Sequence, residues 1–346
     1  MRPLKFLFLL MLVAGTAVAQ PSCCGVSGYS SPSMEEPWTV NTSASFLYWS
    51  VSQENMELGI VNNTDSFSTY VDGNVVNCDF SYNPGFVVGL GWTLPPNHWD
   101  VLFEYTWFRA NNHVETSLQT GGLVVLAPFW EVPDPISPVY YFGSEDWKVS
   151  FDFVDAITAR SYYIGEVLLV RPFFGARAAW IHQQIKAQYL DETTTLTSHN
   201  VYVNNGTHSW GVGPRFGLDM KWSLGKGTRL YANWGNDLLY TQYTKLRASQ
   251  YATTRAGADV PGSAFIVRQG DLHHIRYHID LDLGFGWEMI LSKNGCCVDL
   301  SAAYTFQCFF HQNMFRKYID DRFLSSIASG GNLDAHGLTA TMRFNF

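Results

Sequence analysis

Charged residues are scarce in this sequence, and long apolar runs are almost absent from it. Asp, Glu, Lys and Arg make up 15% of the 346 residues, whereas an average soluble domain has about 25%. Beyond the first 19 residues, no stretch approaches the ~18 continuous apolar residues of a transmembrane helix. The net charge of −8 argues against nucleic acid as a partner. These deficits disfavour an ordinary soluble domain, a helical membrane protein and a nucleic-acid-binding protein.

The chain begins with the pattern of a secretory signal peptide. Arg2 and Lys5 precede an apolar run over residues 6–13, and an A-x-A cleavage site ends at Ala19. The pattern predicts that the mature chain is exported. For the reasons that follow, we divide the sequence into a signal peptide over 1–19, a periplasmic lead-in over 20–41 and a transmembrane β-barrel over 42–346.

Aromatic residues are abundant and follow a period of two. They make up 16% of the chain, and hydrophobic residues make up 47%, without long helical patterns, which is typical of a transmembrane β-barrel. Between His208 and Trp222, seven apolar residues alternate with glycine or charged residues, and the stretch from His274 to Glu288 repeats the pattern. Residues 338–346 also alternate and end on an aromatic residue, as outer-membrane barrels typically do. Strands of ~15 residues exceed the usual ~5–6 of soluble proteins and are long enough to cross a bilayer.

The links between the alternating segments are short and long in turn. Four links are short (residues 95–98, 164–166, 224–227 and 291–296) and five are long (62–79, 111–146, 187–206, 245–270 and 311–332). We therefore predict an all-β fold, a transmembrane antiparallel β-barrel of about ten strands with short periplasmic turns and long extracellular loops. We expect the last strand to pair with the strand around Phe46.

The strand number has an alternative. Twelve or more strands would result if residues 122–126 and 264–267 also spanned the membrane. Both pieces lack a two-faced pattern, so we favour loop hairpins for them.

Tryptophan residues cluster near the short links. Trp92, Trp99, Trp222 and Trp287 each lie within a few residues of a predicted periplasmic turn, and Phe346 falls at the same rim. Aromatic side chains gather in this way at the interface between bilayer and water. We predict that these five residues form an aromatic girdle in contact with outer-membrane lipid.

The polar rows of the strands should face the barrel lumen. The candidates to line it are Glu104, Arg171, Arg177, Arg215, Asp219, Lys221, Arg276, His278, Asp280, Asp282, Glu288 and Arg343. One interpretation is a water-filled channel whose charges tune selectivity. The other is a plugged lumen in which the charges pair across strands, since a barrel of ~10 strands is narrow enough for side chains to fill it largely. The mixed signs favour neither cations nor anions.

Histidine and carboxylate residues lie close together on one predicted strand. His278, Asp280 and Asp282 share a face, because residues i and i+2 of a strand point the same way. The sequence has no recognisable Ser/His/Asp arrangement and no metal-ligand spacing of a known kind. Hydrogen bonding within the lumen accounts for these residues. We therefore predict no catalytic residues, no metal and no cofactor, and we do not expect the chain to be an enzyme.

Several segments resemble a known family. FLYW at 46–49, RPFFGARAAWI at 171–181, GVGPRFG at 211–217 and NDLLY at 236–240 resemble the MOMP-like family of pore-forming outer-membrane proteins, known from legionellae and environmental chlamydiae. The resemblance runs across most of the mature chain. It implies an outer-membrane porin or a porin-like surface protein, and it supplies no catalytic residues.

Six cysteines are present, which is unusual for such a barrel. Cys23, Cys24, Cys296 and Cys297 fall on the periplasmic side of this topology, whereas Cys78 and Cys308 fall towards the outer side. The secreted route permits disulfides, but their connectivity is not encoded in a readable way. One hypothesis is a bridge within the chain from the lead-in to the turn at 291–297. The resemblance suggests the other, a disulfide-stabilised envelope in which the chain is cross-linked to itself or to other envelope proteins.

Together these patterns predict a porin in the bacterial outer membrane. Small hydrophilic solutes would pass by passive diffusion down the polar lumen. The alternative is a structural or adhesive surface barrel whose long loops bind partners without significant pore activity. Conductance in a planar bilayer separates the two, because an absence of discrete steps favours the surface barrel.

Overall fold

The computed structural model describes residues 39–62, 73–94, 99–119, 124–131, 140–165, 167–191, 199–254, 257–260, 263–290, 297–318, 326–328 and 330–345. The predicted signal peptide, the lead-in up to residue 38 and Phe346 lie outside these residues. None of the described segments forms a helix with the length and apolar character needed to cross a bilayer.

Ten long strands form a closed barrel in which every strand is antiparallel to its neighbours. They are β1 (Thr39–Gln53), β2 (Tyr82–Leu94), β3 (Trp99–Ser117), β4 (Phe142–Arg160), β5 (Leu168–Leu190), β6 (His199–Gly225), β7 (Thr228–Thr254), β8 (Leu272–Ile290), β9 (Cys297–Phe309) and β10 (Leu333–Asn345). Each strand is hydrogen-bonded to the next one along the chain, and β1 is also hydrogen-bonded to β10. The predicted all-β fold and the number of barrel strands are confirmed.

The barrel closes between its first and last strands, as predicted. Phe46 of β1 lies opposite Ala340 of β10, and the hydroxyl oxygens of Ser45 and Thr341 are 2.8 Å apart. On its other side β10 pairs with β9. Each of the ten strands therefore has a partner on both sides, which removes the unpaired edges of an open sheet.

The strands at the long-link end extend past their predicted limits. β6 and β7 have 27 residues each and β5 has 23, so much of the predicted loops at 187–206 and 245–270 is strand. The predicted loop at 111–146 likewise contains the end of β3 and the start of β4. Those loop boundaries were wrong.

The reason is that the apolar row changes face along each of these strands. In the half near the short links, apolar side chains such as Phe174 point outward and are exposed. In the other half of the same strand, Ile181 and Ile185 point inward and are buried, while His182 and Lys186 point outward. The alternation continues, but its polarity inverts, so a pattern of outward apolar residues ends too early.

Among the described residues, seven short strands lie beside the barrel. Gly59–Asn62, Gly73–Val76 and Val125–Pro128 form a three-stranded sheet, Arg316–Tyr318 pairs with Ser326–Ala328, Tyr162–Ile164 pairs with the start of β5, and Phe265–Gln269 pairs with β7. The segments at 122–126 and 264–267 therefore contribute no barrel strand. The alternative of twelve or more barrel strands is wrong, although the first segment joins a sheet instead of a hairpin.

The barrel interior has a polar half and an apolar half. Near the short links, inward side chains are mostly polar or charged. Near the long links, inward side chains from eight strands belong to one apolar core that includes Leu47, Phe108, Trp147, Ile181, Val201, Leu239, Phe309 and Leu333. Side chains from outside the barrel strands, among them Leu58, Leu126, Trp130 and Phe315, cover its outer end. Each large apolar side chain buried in this way stabilises the fold by about 1.5–3 kcal/mol.

Candidate functional site

A polar cavity of about 510 Å³ occupies the lumen near the short links. It extends from Asn41 and Asn345, at the ends of β1 and β10, to the middle of the barrel. Nine of the twelve predicted lumen residues line it: Glu104, Arg171, Arg177, Arg215, Asp219, Lys221, Asp280, Asp282 and Arg343. Strand alternation brings them together from β3, β5, β6, β8 and β10. Their role in conduction stays a prediction.

An ion-pair layer closes the upper end of this cavity. Arg177 of β5 donates hydrogen bonds from Nε and Nη2 to the two carboxylate oxygens of Asp155 on β4, each 2.6 Å long. Its Nη1 donates to Asp237 Oδ2 of β7 at 3.0 Å. The bidentate arrangement is the strong form of an arginine–carboxylate pair. It ties three strands together across the lumen.

Arg215 of β6 extends the same layer. Its Nη1 donates to both oxygens of Asp237, at 3.0 and 2.9 Å, and its two terminal nitrogens reach Asp280 of β8 at 2.8 and 3.0 Å. His278 Nδ1 lies 2.5 Å from Asp237 Oδ2. Two arginines, three aspartates and one histidine thus form a connected network, and buried networks of this kind are stable only when their members are mutually satisfied. We call these six residues the ion-pair layer.

Asp237, His278 and Asp280 are also close enough together to hold a metal ion. The oxygens that a cation would need already accept hydrogen bonds from Arg177 and Arg215. A divalent cation would have to displace two guanidinium groups whose charges oppose it. The residues present therefore fit an arginine–aspartate network better than a metal centre.

The charges below the layer pair in part and balance overall. Arg171 reaches Asp219 at 2.6 Å and Asp100 at 3.2 Å, and Arg229 reaches Asp299 at 2.6 Å. Of the charged side chains that line the cavity, six are cationic and seven are anionic. The cavity wall therefore carries no strong excess of either sign, and the pairing across strands has the form expected of a plugged lumen.

Four phenylalanine rings lie directly above the ion-pair layer. The ring centroids of Phe151 lie 5.8, 5.6 and 6.0 Å from those of Phe108, Phe153 and Phe309. The Arg177 guanidinium lies 5.3 Å from the Phe153 ring centroid, so the layer and the rings are in contact. All four rings are almost completely buried. We call Phe108, Phe151, Phe153 and Phe309 the aromatic plug.

A charged cluster lies at the outer end of the apolar core. Trp130 Nε1 donates a 2.7 Å hydrogen bond to Glu145 Oε2. The Lys317 ammonium group pairs with Glu57 and lies 5.0 Å from the ring centroid of Trp130. Burial raises the pKa of Glu145 to about 8, so this carboxyl group is protonated in the native protein at neutral pH.

Three predicted lumen residues lie away from the cavity wall. His278 is fully buried within the ion-pair layer. Glu288 lies 3.9 Å from Arg229. Arg276 is in the apolar half, where it donates to the Tyr243 hydroxyl at 3.1 Å and to Met314 Sδ at 3.2 Å.

The sequence prediction missed Asp155, Asp237, Arg229 and Asp299. Asp155 and Asp237 accept the central hydrogen bonds of the ion-pair layer. Asp155 was detectable, because it is a single carboxylate in the inward row between Phe153 and Ile157. A charge inside an apolar row requires a partner when buried.

The predicted girdle residues lie on the outward face near the short links. Trp222 and Trp287 are exposed, Trp92 packs edge-on against Phe103, and Trp99 packs edge-on against Phe174. Phe346 lies outside the described residues. This placement agrees with an aromatic girdle, whose contact with lipid stays a prediction.

A second set of outward aromatic residues lies towards the long links. It consists of Trp107, Trp180, Trp210 and Tyr240, which we call the upper rim. Twelve residues separate Trp210 from Trp222 on β6. At ~3.3 Å per residue and a strand tilt of ~45°, the two rims are ~28 Å apart, close to the ~25 Å apolar band of such barrels.

The described cysteines have different positions in the barrel. Cys78 and Cys308 are buried towards the long links and form no disulfide. Cys297 is buried at the start of β9, next to the short link that precedes it. Cys23, Cys24 and Cys296 lie outside the described residues. The disulfide hypotheses therefore stay predictions.

Comparisons with known proteins bear on the whole chain. Residues 30–346 match a protein family described as the Legionella pneumophila major outer membrane protein precursor. No curated relative matches.

Solved structures with a similar trace include three outer-membrane proteins. They are the outer membrane protease OmpT from Escherichia coli (9% identity, 89% of this chain and 96% of that chain, TM-score 0.38), a Pseudomonas aeruginosa FadL homologue (8%, 89% and 90%, 0.31) and a major outer membrane protein from Thermus thermophilus (11%, 90% and 100%, 0.29). These TM-scores are too low to carry an argument about this chain.

Proposed function

Because the chain belongs to the Legionella major outer membrane protein family and so resides in the bacterial outer membrane, we propose that it is a gated channel for small hydrophilic solutes. The observation that carries the proposal is the charged cavity of about 510 Å³ inside the membrane-spanning part of the barrel. Solutes enter this cavity by passive diffusion. Their passage to the other side requires the ion-pair layer and the aromatic plug to move apart.

The chemistry of the cavity wall supports a water-filled path. Ionisable side chains inside a membrane are costly, and they mark ion and substrate pathways when they face an interior cavity. Glu104, Lys221 and Asp282 line the cavity and make no ion pair with another described residue within 4.0 Å. A barrel with a purely structural role has no need to keep such charges inside the bilayer. Water in the cavity solvates them.

The aromatic plug supplies the gate. Hydrophobic constrictions close channels by excluding water, and the four phenylalanine rings form such a constriction above the cavity. The balanced charges below it predict weak selectivity between anions and cations. We therefore expect brief, infrequent openings of the wild-type channel.

Planar-bilayer recording of a plug variant tests the proposal. The variant Phe151→Ala/Phe309→Ala removes two rings of the aromatic plug, and we expect its mean current to exceed that of the wild type at least ten-fold. The matched control is Phe86→Ala/Phe174→Ala, which removes two exposed outward rings of similar size and leaves the plug intact. Because burial makes Phe→Ala changes cost about 3–5 kcal/mol, folding is first verified by the shift of the unheated protein on SDS gels.

Two results would contradict the channel. One is a folded plug variant that gives no discrete conductance steps. The other is an equal current increase in the control variant, since it would assign the current to a damaged barrel wall.

The alternative is a structural or adhesive surface barrel. It is favoured by the apolar core, which fills the lumen near the long links with side chains from eight strands. Under this proposal the extended outer ends of β3 to β7 present a binding surface, and the lumen charges serve stability alone. Absence of conductance in both phenylalanine variants is its expected signature.

Disulfide cross-linking to itself or to other envelope proteins is part of the proposal. Cys297 at the short-link end is adjacent in sequence to Cys296, and Cys23 and Cys24 precede β1. A ladder of large species on a non-reducing gel, abolished by reductant, is expected for cross-links between molecules. A single band of monomer size would leave only a bridge within the chain.

A further inference from the structure

A basic groove lies on the outer wall of the barrel, immediately above the upper rim. Arg109, Lys148, Lys245 and Arg247 line it together with the imidazoles of His182 and His208, and its volume is about 550 Å³. It spans five adjacent strands, β3 to β7. Amide and hydroxyl groups fill the spaces between the cations. No carboxylate of the described residues lines the groove.

The groove has a defined height above the apolar band. His182 and His208 lie opposite each other, with ring centroids 4.6 Å apart, and each is one outward position beyond a rim tryptophan, Trp180 or Trp210. Lys245 lies opposite His208. Two residues of a strand tilted by ~45° raise a side chain by ~5 Å. The groove is therefore at the depth of lipid headgroups.

The cations of the groove lack compensating charge. Among the described residues, no carboxylate lies within 4.0 Å of Lys148, Lys245 or Arg247, although Arg109 pairs with Asp152. Arg247 lies directly opposite Arg268, and its Nε is buried without a hydrogen-bond partner. Like charges directly opposite on neighbouring strands are destabilising. An anion that accepts from Arg247 would remove both penalties.

We propose that the basic groove binds the phosphate groups of the phosphorylated glycolipid in the outer leaflet of the outer membrane. Lysine and arginine are the side chains that bind phosphate, and basic residues at a bilayer surface attract anionic headgroups. The apolar band below the groove continues through Trp180 and Trp210, so the acyl chains of the same lipid lie against aromatic side chains. This continuity of a cationic site with an apolar wall favours a lipid over a soluble anion.

The site is independent of the channel. It lies on the outward face, and no residue of the ion-pair layer or the aromatic plug lines it. A lipid bound here bridges five strands in the zone where the barrel leaves the membrane. It should therefore stabilise the folded barrel.

Binding of purified lipid A to the full-length protein in detergent tests the proposal. The readouts are the affinity by microscale thermophoresis and the shift in unfolding temperature. Each basic residue near a membrane surface contributes about 1 kcal/mol, which is a factor of ~5 in affinity. We expect Lys245→Gln/Arg247→Gln to bind ~30-fold more weakly than the wild type. The control is Arg160→Gln/Lys226→Gln, which changes two cations at the opposite end of the barrel, and we expect it to bind as the wild type does.

Three further measurements separate the sources of phosphate and the classes of partner. Dephosphorylated lipid A should bind the wild type and the groove variant equally. Inorganic phosphate at millimolar concentration should give no shift in unfolding temperature, and heparin should bind weakly. Equal binding of lipid A by the wild type and the groove variant overturns the proposal, as does a full shift with inorganic phosphate. Heparin binding as tight as that of lipid A would assign the groove to a soluble polyanion and likewise overturn it. Because the changed side chains face outward, the variants should fold, which is checked by the shift of unheated protein on SDS gels.

Discussion

Replacement of Arg177 with methionine tests whether the ion-pair layer is sealed from water. The guanidinium group donates two hydrogen bonds to Asp155 and one to Asp237. The side chains of Arg177, Asp155 and Asp237 are 5%, 7% and 0% exposed. Methionine keeps an apolar stem against the Phe153 ring, so the change chiefly removes the charge and its donors.

The expected cost follows from this burial. Removing one partner of a buried ion pair destabilises a protein by about 3–5 kcal/mol, because the other charge stays buried and uncompensated. Arg171 provides the matched control. Its partners Asp100 and Asp219 are 21% and 16% exposed and face the cavity, where water can solvate them, so we expect Arg171→Met to cost about 1 kcal/mol. The difference between the two variants should be about 2 kcal/mol or more.

Urea unfolding of the protein in lipid vesicles, followed by tryptophan fluorescence, measures both free energies. The double variant Asp155→Asn/Arg177→Met should recover part of the loss, since it neutralises one orphaned carboxylate. If Arg177→Met costs no more than Arg171→Met, water reaches the ion-pair layer. In that case the layer does not close the lumen, and the reasoning that leads to a gated channel is refuted.

Three other outcomes are expected. The folded-state pKa of Glu145 is about 8 and its ordinary value is 4.5, so the native state binds the proton more tightly, and the stability from this group is complete below pH 4.5 and is lost as the pH rises towards 8. Stability should therefore fall by about 4 kcal/mol between pH 5 and pH 9, and Glu145→Gln, unfolded in urea at both pH values, should abolish that part of the dependence. Gly213→Ala should cost about 1–3 kcal/mol, because its Cβ would lie 1.8 Å from the Leu238 carbonyl oxygen, whereas Gly206→Ala on the same strand meets no atom closer than 3.8 Å and should be nearly neutral in the same urea titration. Burial raises the pKa of the Cys78 thiol to about 12, so a maleimide at pH 8 should label Cys78 only after unfolding, and rapid labelling of the native protein at that position would contradict its burial.

The barrel itself could be predicted because its signal is local. In the stretches ending at Trp222 and Trp287, every second side chain faces lipid, so a few neighbouring residues reveal the strand and its two faces. The short links and the closing pair around Phe46 follow from the same local pattern. The prediction succeeded where one environment, the bilayer, acts on one face of each strand.

The outer half of the strands could not be predicted in the same way. There the apolar side chains, such as Ile181 and Val201, face inward and the outward row is polar. The change of face depends on where the bilayer ends, which no short window of sequence specifies. The proline-containing and polar stretches between strands then look like loops, although the barrel continues through parts of them.

The partners within the lumen were also out of reach. Arg177 and Asp155 are 22 positions apart and Arg215 and Asp280 are 65 apart. Which inward charges meet depends on the register of several strands at once, and a shift of one residue would turn each side chain to the other face. Arg177 and Arg215 could be named as lumen residues, but Asp237 and the aromatic plug became recognisable only with the strands aligned.

The closure between β1 and β10 has a consequence for the order of folding. Ser45 and Thr341 are separated by 296 positions, whereas neighbouring strands such as β6 and β7 meet across the three-residue reversal at 225–227. Contacts between distant parts of a chain form slowly, because loop-closure entropy is lost before they stabilise the structure. The seam therefore joins last, after export of the whole polypeptide. Until then β1 and β10 are adhesive edges that can zip onto another copy, so the time spent before this seam closes sets the yield of monomeric barrels.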